Sequence, residues 1–169
     1  MRSNRPVARA ALAALLISPA ALPAQPSASY TVRLMTPETA LKAAQAALAD
    51  CRGRNYQIAV AVVDRAGLLQ VLLRDRFAGP HTVDMALNKA WTAVSFRTAT
   101  TELGAQTQPG RPMSGIRDLP RVIAAGGGMP VEAGGSLWGA VGVSGGPNGE
   151  ADDRCAKAGI DAVADELSF

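Results

Sequence analysis

The chain has 169 residues, of which 18% are charged and only 4% are aromatic. This length allows one domain with a real core, and the many small apolar residues exclude a disordered chain and favour a closely packed α/β core. Three arginines and no acidic residue stand in the first 24 positions; without them the 17 basic residues become 14, equal to the 14 acidic ones, so charge gives no case for nucleic-acid binding.

Residues 1–24 have the pattern of a secretory signal peptide. A basic start is followed by the apolar residues 10–17, and Leu-Pro-Ala at 22–24 is a plausible cleavage site. The apolar stretch is too short to cross a membrane as a helix. We therefore expect an exported protein, periplasmic or secreted, without a membrane span; a retained N-terminal anchor is the alternative.

A lead-in over residues 25–35 precedes a single predicted domain, residues 36–169. The domain opens with a helix, because Thr36–Pro37 combines a capping side chain with proline at the first helical position. An apolar stripe continues to about Arg52, and Gly53 ends the helix.

Strand patterns occur in two groups that enclose the central helices. The apolar, β-branched run Tyr56–Asp64 predicts a central strand, and Leu68–Arg74 pairs back on it as a hairpin. Further strands are predicted at 121–125, 129–133 and 137–144, and helices at 83–97, 98–106, 113–119 and 151–167. Adjacent strands of this kind predict an antiparallel sheet with helices packed against it, an α+β fold. Gly139 and Gly142 in the last strand would let another backbone or a ligand approach closely.

The chain's only histidine, His81, stands just before the central helix. Thr82 is predicted as the N-cap of that helix. The positive end of a helix disfavours a protonated imidazole, so we expect a neutral ring, the form that binds a metal. One histidine cannot build a metal site by itself, and a surface turn residue is the alternative interpretation.

A corner without side chains, Gly126–Gly128, precedes Met129. Its amides could bind a carboxylate or a phosphate, and a plain turn is the alternative. No Gly-Lys-Ser/Thr sequence follows, which excludes a P-loop. The Gly-x-Ser-Gly-Gly run at 142–146 lacks the nucleophile-elbow pattern and argues against a serine hydrolase.

Two cysteines, Cys51 and Cys155, fall in the predicted terminal helices. In an exported chain such a pair forms a disulfide more often than not, and here the bond would join the two ends of the domain. Two separate buried thiols are the alternative. Neither a C-x-x-C motif nor a zinc-ligand spacing is present in the sequence.

Four segments in order, residues 59–75, 79–97, 126–146 and 152–161, resemble the GlcG/HbpS family of small haem-binding proteins. The resemblance implies a profilin-like α-β-α domain with a five-stranded antiparallel sheet, haem as the cofactor, and assembly into homo-oligomers. Haem degradation and redox sensing are activities that it implies. The chain departs from the family pattern at Asn88, where aspartate is expected, and at Trp91, where tyrosine is expected.

The resemblance leads to the hypothesis of an exported haem-binding protein in which His81 is the iron ligand. Lys89 or Arg97 would meet a haem propionate. The other expected contacts, apolar or from the glycine corner, are Phe77, Met85, Gly127, Gly128 and Met129.

Two alternatives belong to other classes of function. The first is an accessory protein or enzyme for a small hydroxy acid, whose carboxylate would meet the glycine corner and the start of the His81 helix. The second is an oligomeric scaffold with no ligand. Catalysis is left open, because haem degradation needs a reductant or peroxide and an open iron position.

Overall fold

The structure, a computed structural model, describes residues 27–168 and divides at Val32 into two units. The predicted signal peptide, residues 1–24, lies outside the described residues. In the first unit, the Ser27 hydroxyl donates a hydrogen bond to the Ser29 carbonyl at 2.5 Å. Within residues 27–168, no helix combines the length and apolar character needed to span a membrane.

The second unit is built on a sheet of two antiparallel hairpins placed side by side. Its strands are β1 (Ala59–Asp64), β2 (Leu69–Arg74), β3 (Gly128–Ala133) and β4 (Ser136–Ser144), in the order β2-β1-β4-β3. All three strand pairs are antiparallel. The central strands β1 and β4 are almost entirely buried, as their apolar composition predicts.

Two helices cover one face of this sheet. Helix α1 (Pro37–Gly53) is capped by Thr36, whose hydroxyl accepts from the Thr39 amide at 3.2 Å. Helix α4 (Gly149–Asp161) is capped in the same way by Asn148, and a short helix, α5 (Ala164–Leu167), follows. Between these helices and the sheet lies the largest core cluster, which includes Met35, Ile58, Val60, Val62, Val131, Val141, Val143 and Val163.

The predicted disulfide is present between α1 and α4. Cys51 and Cys155 are fully buried, and their Cα atoms are 5.6 Å apart although 104 residues separate them in sequence. The bond therefore joins the first and last long helices of the domain.

The other face is covered by α2 (His81–Phe96), with α3 (Thr100–Gln106) and a 3₁₀ turn (Ser114–Asp118) following it. A methyl group added to Gly142 would lie 2.0 Å from the Ala86 carbonyl oxygen, so the α2 backbone rests directly on β4. The close approach predicted for this glycine is confirmed.

The sheet has four strands, so the prediction of five is wrong. Residues 121–125 form no strand, because their backbone bonds to side chains of α2 and not to a neighbouring strand. The Ile123 amide donates to the Thr92 hydroxyl at 3.0 Å, and Arg121 has a left-handed φ of 82°. The Arg121 guanidinium stacks on Trp91, 4.6 Å from the ring centroid.

Two helix boundaries also differ from prediction. Helix α2 begins at His81, and Thr82 is not its N-cap, since the Thr82 hydroxyl donates to the Gly79 carbonyl at 2.6 Å. The last predicted helix stops at Asp161 and begins at Gly149, two residues before the predicted first residue, Ala151, with Asn148 as its N-cap.

Candidate functional site

A cavity of about 620 Å³ opens where the start of α2 meets the loop between β4 and α4. We call it the His81 cavity. This volume is within the range of small-molecule and cofactor sites. Its lining residues are Asn55, Tyr56, Gln57, Phe77, Gly79, His81, Thr82, Ser144, Gly145, Gly146, Pro147, Asn148, Gly149 and Asp152.

His81, the first residue of α2, is exposed in the cavity wall. Its imidazole makes no hydrogen bond with any residue between 27 and 168. The ring lies against the backbone of Gly79, where an added methyl group would come within 2.7 Å of Cε1. A side chain at position 79 would therefore displace the imidazole from this position.

Aromatic side chains form another part of the wall. Phe77 stands on the turn between β2 and α2 and is 78% exposed, which is unusual for phenylalanine. Tyr56 is half-buried and packs against the core cluster under α1. The cavity therefore offers a ligand one imidazole that can bind a metal ion, together with the rings of Phe77 and Tyr56.

A second glycine-rich segment, residues 145–149, which we call the glycine loop, forms a further part of the wall. Gly145 has a φ of 128° and lies so close to Gln57 that a methyl group would meet its carbonyl oxygen at 2.6 Å. The Gly146 amide donates to the Asp152 carboxylate at 2.8 Å. The loop is thus packed against the backbone at Gln57 and held by the first turn of α4.

A buried ion pair lies beneath this loop. Lys89 Nζ is 2.8 Å from Asp152 Oδ2, and the two side chains are only 4% and 6% exposed. The ammonium also donates to the Val143 carbonyl at 3.0 Å, while Asp152 Oδ1 accepts from Gly146. Because both charges are paired and hydrogen-bonded, they contribute little net charge to the cavity.

The glycine corner, residues 126–128, supports the cavity from behind and does not line it. The Gly127 amide donates to Asp153 Oδ1 at 2.5 Å, and the Gly128 amide donates to the Thr100 hydroxyl at 2.8 Å. Gly126 packs against Gly149 of the glycine loop. The Gly127 and Gly128 amides, which were predicted to face a ligand, are therefore used inside the protein.

The remaining predicted site residues are dispersed. Met85, one turn after His81, is half-buried and does not line the cavity, and Lys89 is enclosed in the ion pair. Met129 packs against the core cluster on the opposite face of the sheet. Arg97 follows the far end of α2 and lines a separate cavity of about 380 Å³ with Glu132. The structure thus places only His81 and Phe77 of the predicted contacts in one cavity.

Neither the glycine loop nor Asp152 was predicted from the sequence as part of the site. A signal for the loop was available, because the run Gly145–Gly149 directly precedes the predicted last helix. The partner of Lys89 had no signal, since 63 residues separate it from Asp152.

The chemistry available is that of a binding site with one metal-ligating group. No three His, Cys, Asp or Glu side chains of residues 27–168 cluster as they would around a bound ion. An exposed imidazole beside an aromatic ring instead suits a planar macrocyclic ligand that already contains a metal ion.

Comparisons with known proteins show the family of the chain. A family model described as "Haem degrading protein HbpS-like" matches residues 35–161. A protein of Citrobacter freundii, described as an uncharacterized 15.0 kDa protein in the dhaT-dhaS intergenic region, is 34% identical over 139 residues, which cover 81% of this chain and 97% of that protein.

Two solved structures share the fold. A double mutant of Streptomyces reticuli HbpS is 35% identical with a TM-score of 0.76, covering 86% of this chain and 98% of that chain. A PduOC complex with haem is 31% identical with a TM-score of 0.73, covering 77% of this chain and 95% of that chain.

Proposed function

Because this chain belongs to the HbpS-like family of haem degrading proteins, we propose that it binds haem in the His81 cavity. The observation that carries the proposal is the exposed imidazole of His81, which has no hydrogen-bond partner among the described residues and faces a cavity of about 620 Å³. Histidine is a common axial ligand of haem iron.

The residues present fit haem. His81 would hold the iron, and Phe77 offers an exposed ring for the apolar face of the macrocycle. The glycine loop presents backbone and small side chains to the cavity, which leave room for a flat ligand. The described lining residues include no second histidine and no cysteine or methionine, and Tyr56 is the other lining side chain of a type that can ligate haem iron.

Bound haem would supply redox chemistry at its iron. This chain's own residues would bind and orient the cofactor, and none of those described around the cavity is a reductant. Haem degradation or redox sensing would therefore depend on a reductant or peroxide from outside the chain. We propose binding as the function, and turnover only when such a co-reactant is supplied.

Titration of the purified protein with hemin tests the proposal. The wild type should give a Soret band that saturates at one hemin per chain, and His81→Ala should weaken the band strongly. Asp84→Ala is a matched control, because Asp84 is exposed in the first turn of α2 but does not line the cavity. No saturable band for the wild type would end the proposal.

We further propose export and self-association. The buried disulfide suits an oxidising compartment, in agreement with the predicted signal peptide. The outer strand β2 leaves Leu69 and Leu72 46% and 37% exposed, a surface that a second copy could cover. Mass spectrometry of the mature N-terminus and light scattering test these two proposals; an unprocessed monomer would contradict both.

A small hydroxy acid is the second candidate ligand. The starts of α2 and α4 both line the His81 cavity, and the start of a helix attracts a carboxylate. Thermal-shift measurements separate the candidates: stabilisation by hydroxy acids and none by hemin would favour the second.

A further inference from the structure

We propose that Arg76 binds a carboxylate at the edge of the ligand in the His81 cavity. The inference rests on the proposed function, because it takes the ligand to be flat and placed against Phe77. It assigns to Arg76 the role that the sequence had suggested for Lys89 or Arg97.

Arg76 lies beside the wall of the His81 cavity. Its guanidinium lies over the Phe77 ring, 5.6 Å from the centroid, and Phe77 lines the cavity. Both side chains are exposed on the turn between β2 and α2. A ligand that contacts the Phe77 ring therefore has a cation within reach of its edge.

The Arg76 cation has no anionic partner among the described residues. Within residues 27–168, Arg76 makes no ion pair or hydrogen bond, and its one recorded interaction is with Phe77. Nearby basic residues are already engaged: Arg52 pairs with Asp75, and Arg74 donates to the Ala78 carbonyl at 2.5 Å.

The two cations suggested by the sequence cannot take this role in the structure. The charge of Lys89 is neutralised by Asp152, and the side chain is 4% exposed. Arg97 follows His81 by 16 residues, so the two ends of α2 are about 24 Å apart at the helical rise per residue. Arg76 is, among the described residues, the cation that contacts the cavity wall and makes neither an ion pair nor a hydrogen bond.

The guanidinium chemistry indicates the class of ligand. A guanidinium presents a planar pair of N–H donors that matches a carboxylate, and it can remain stacked on an aromatic ring while donating. The ligand expected is therefore a planar macrocycle with free carboxylates at its periphery. Esterification of those carboxylates should remove the contribution of Arg76.

The experiment compares hemin with its dimethyl ester on three proteins: the wild type, Arg76→Ala and Arg65→Ala. Arg65 is the matched control, because it is exposed and unpaired among the described residues but lies in the turn at the other end of the β1–β2 hairpin. We expect Arg76→Ala to weaken hemin binding about three- to tenfold and Arg65→Ala to change it less than twofold. For the ester, wild type and Arg76→Ala should bind alike.

The possible outcomes distinguish the carboxylate role of Arg76 from stacking alone and from a failure of the proposed function. Equal weakening of hemin and its ester in Arg76→Ala would mean that Arg76 acts only by stacking, and would overturn the carboxylate role. Hemin binding that depends on His81 but not on Arg76 would overturn this inference and leave the proposed function intact. A wild type that binds neither ligand would overturn both.

Discussion

Neutralising Asp152 should destabilise the protein far more than neutralising any exposed carboxylate. In Asp152→Asn the side chain keeps its size and can still accept from the Gly146 amide, but the Lys89 ammonium loses its counter-charge. Both side chains of the pair are at most 6% exposed, so the ammonium is left without its counter-charge at a buried position.

The magnitude follows from this burial. Removing one partner of a buried ion pair typically costs about 3–5 kcal/mol, since an unpaired charge remains in an apolar environment. The exposed pair Lys157–Asp161, whose side chains are 63% and 59% exposed, is the internal control. Asp161→Asn should cost at most about 1 kcal/mol, because water screens that pair.

Urea unfolding of the disulfide-intact protein, followed by circular dichroism, gives the free energy of unfolding for each variant. Should Asp152→Asn fail to fold, the double variant Lys89→Met/Asp152→Leu removes both charges and should recover most of the loss. The reasoning is refuted if Asp152→Asn and Asp161→Asn cost the same. It is also refuted if the double variant is less stable than Asp152→Asn.

Two further predictions concern the framework of the domain. Gly142→Ala should lower the free energy of unfolding by about 1–3 kcal/mol in urea unfolding, because its methyl group would lie 2.0 Å from the Ala86 oxygen. Gly53→Ala is the control and should be nearly neutral, because its methyl group would meet nothing within 4 Å. Replacing Cys51 and Cys155 by alanine should lower the free energy of unfolding by about 2–5 kcal/mol. If a reductant left the urea midpoint of the wild type unchanged, that result would contradict a stabilising disulfide.

Local signals in the sequence were enough for most of the secondary structure. Thr36 and Pro37 mark the start of α1, and Gly134–Gly135 marks the β3–β4 turn, where both residues have positive φ as a two-residue hairpin requires. Such signals act between near neighbours, so they can be seen without knowledge of the tertiary structure.

The missing fifth strand shows where local pattern stops being informative. Residues 121–125 read as a short apolar run, but the Thr92 hydroxyl and the Trp91 ring hold this segment to α2. Trp91 was noticed only as a departure from the family pattern. Its contact with Arg121 depends on packing that no spacing in the sequence reveals.

The candidate site was only partly predictable for the same reason. His81 and Phe77 are separated by four positions, and the turn between them places both in one cavity. Another part of the wall comes from residues more than 60 positions later, where the sequence contains two glycine runs that could form it. The glycine loop forms it in the structure. Its neighbour Asp152 bonds to the Gly146 amide and pairs with Lys89, a long-range contact that the sequence does not display.

The most direct test of the central claim uses the single histidine of the chain. Because His81 is the only histidine in the sequence, tag-free protein grown with ¹⁵N-histidine carries the label at one position. Resonance Raman spectra of the ferrous haem complex should then show the iron–nitrogen stretching band moved to lower frequency relative to unlabelled protein. A haem complex whose iron–ligand bands are the same with and without the label would contradict ligation by His81.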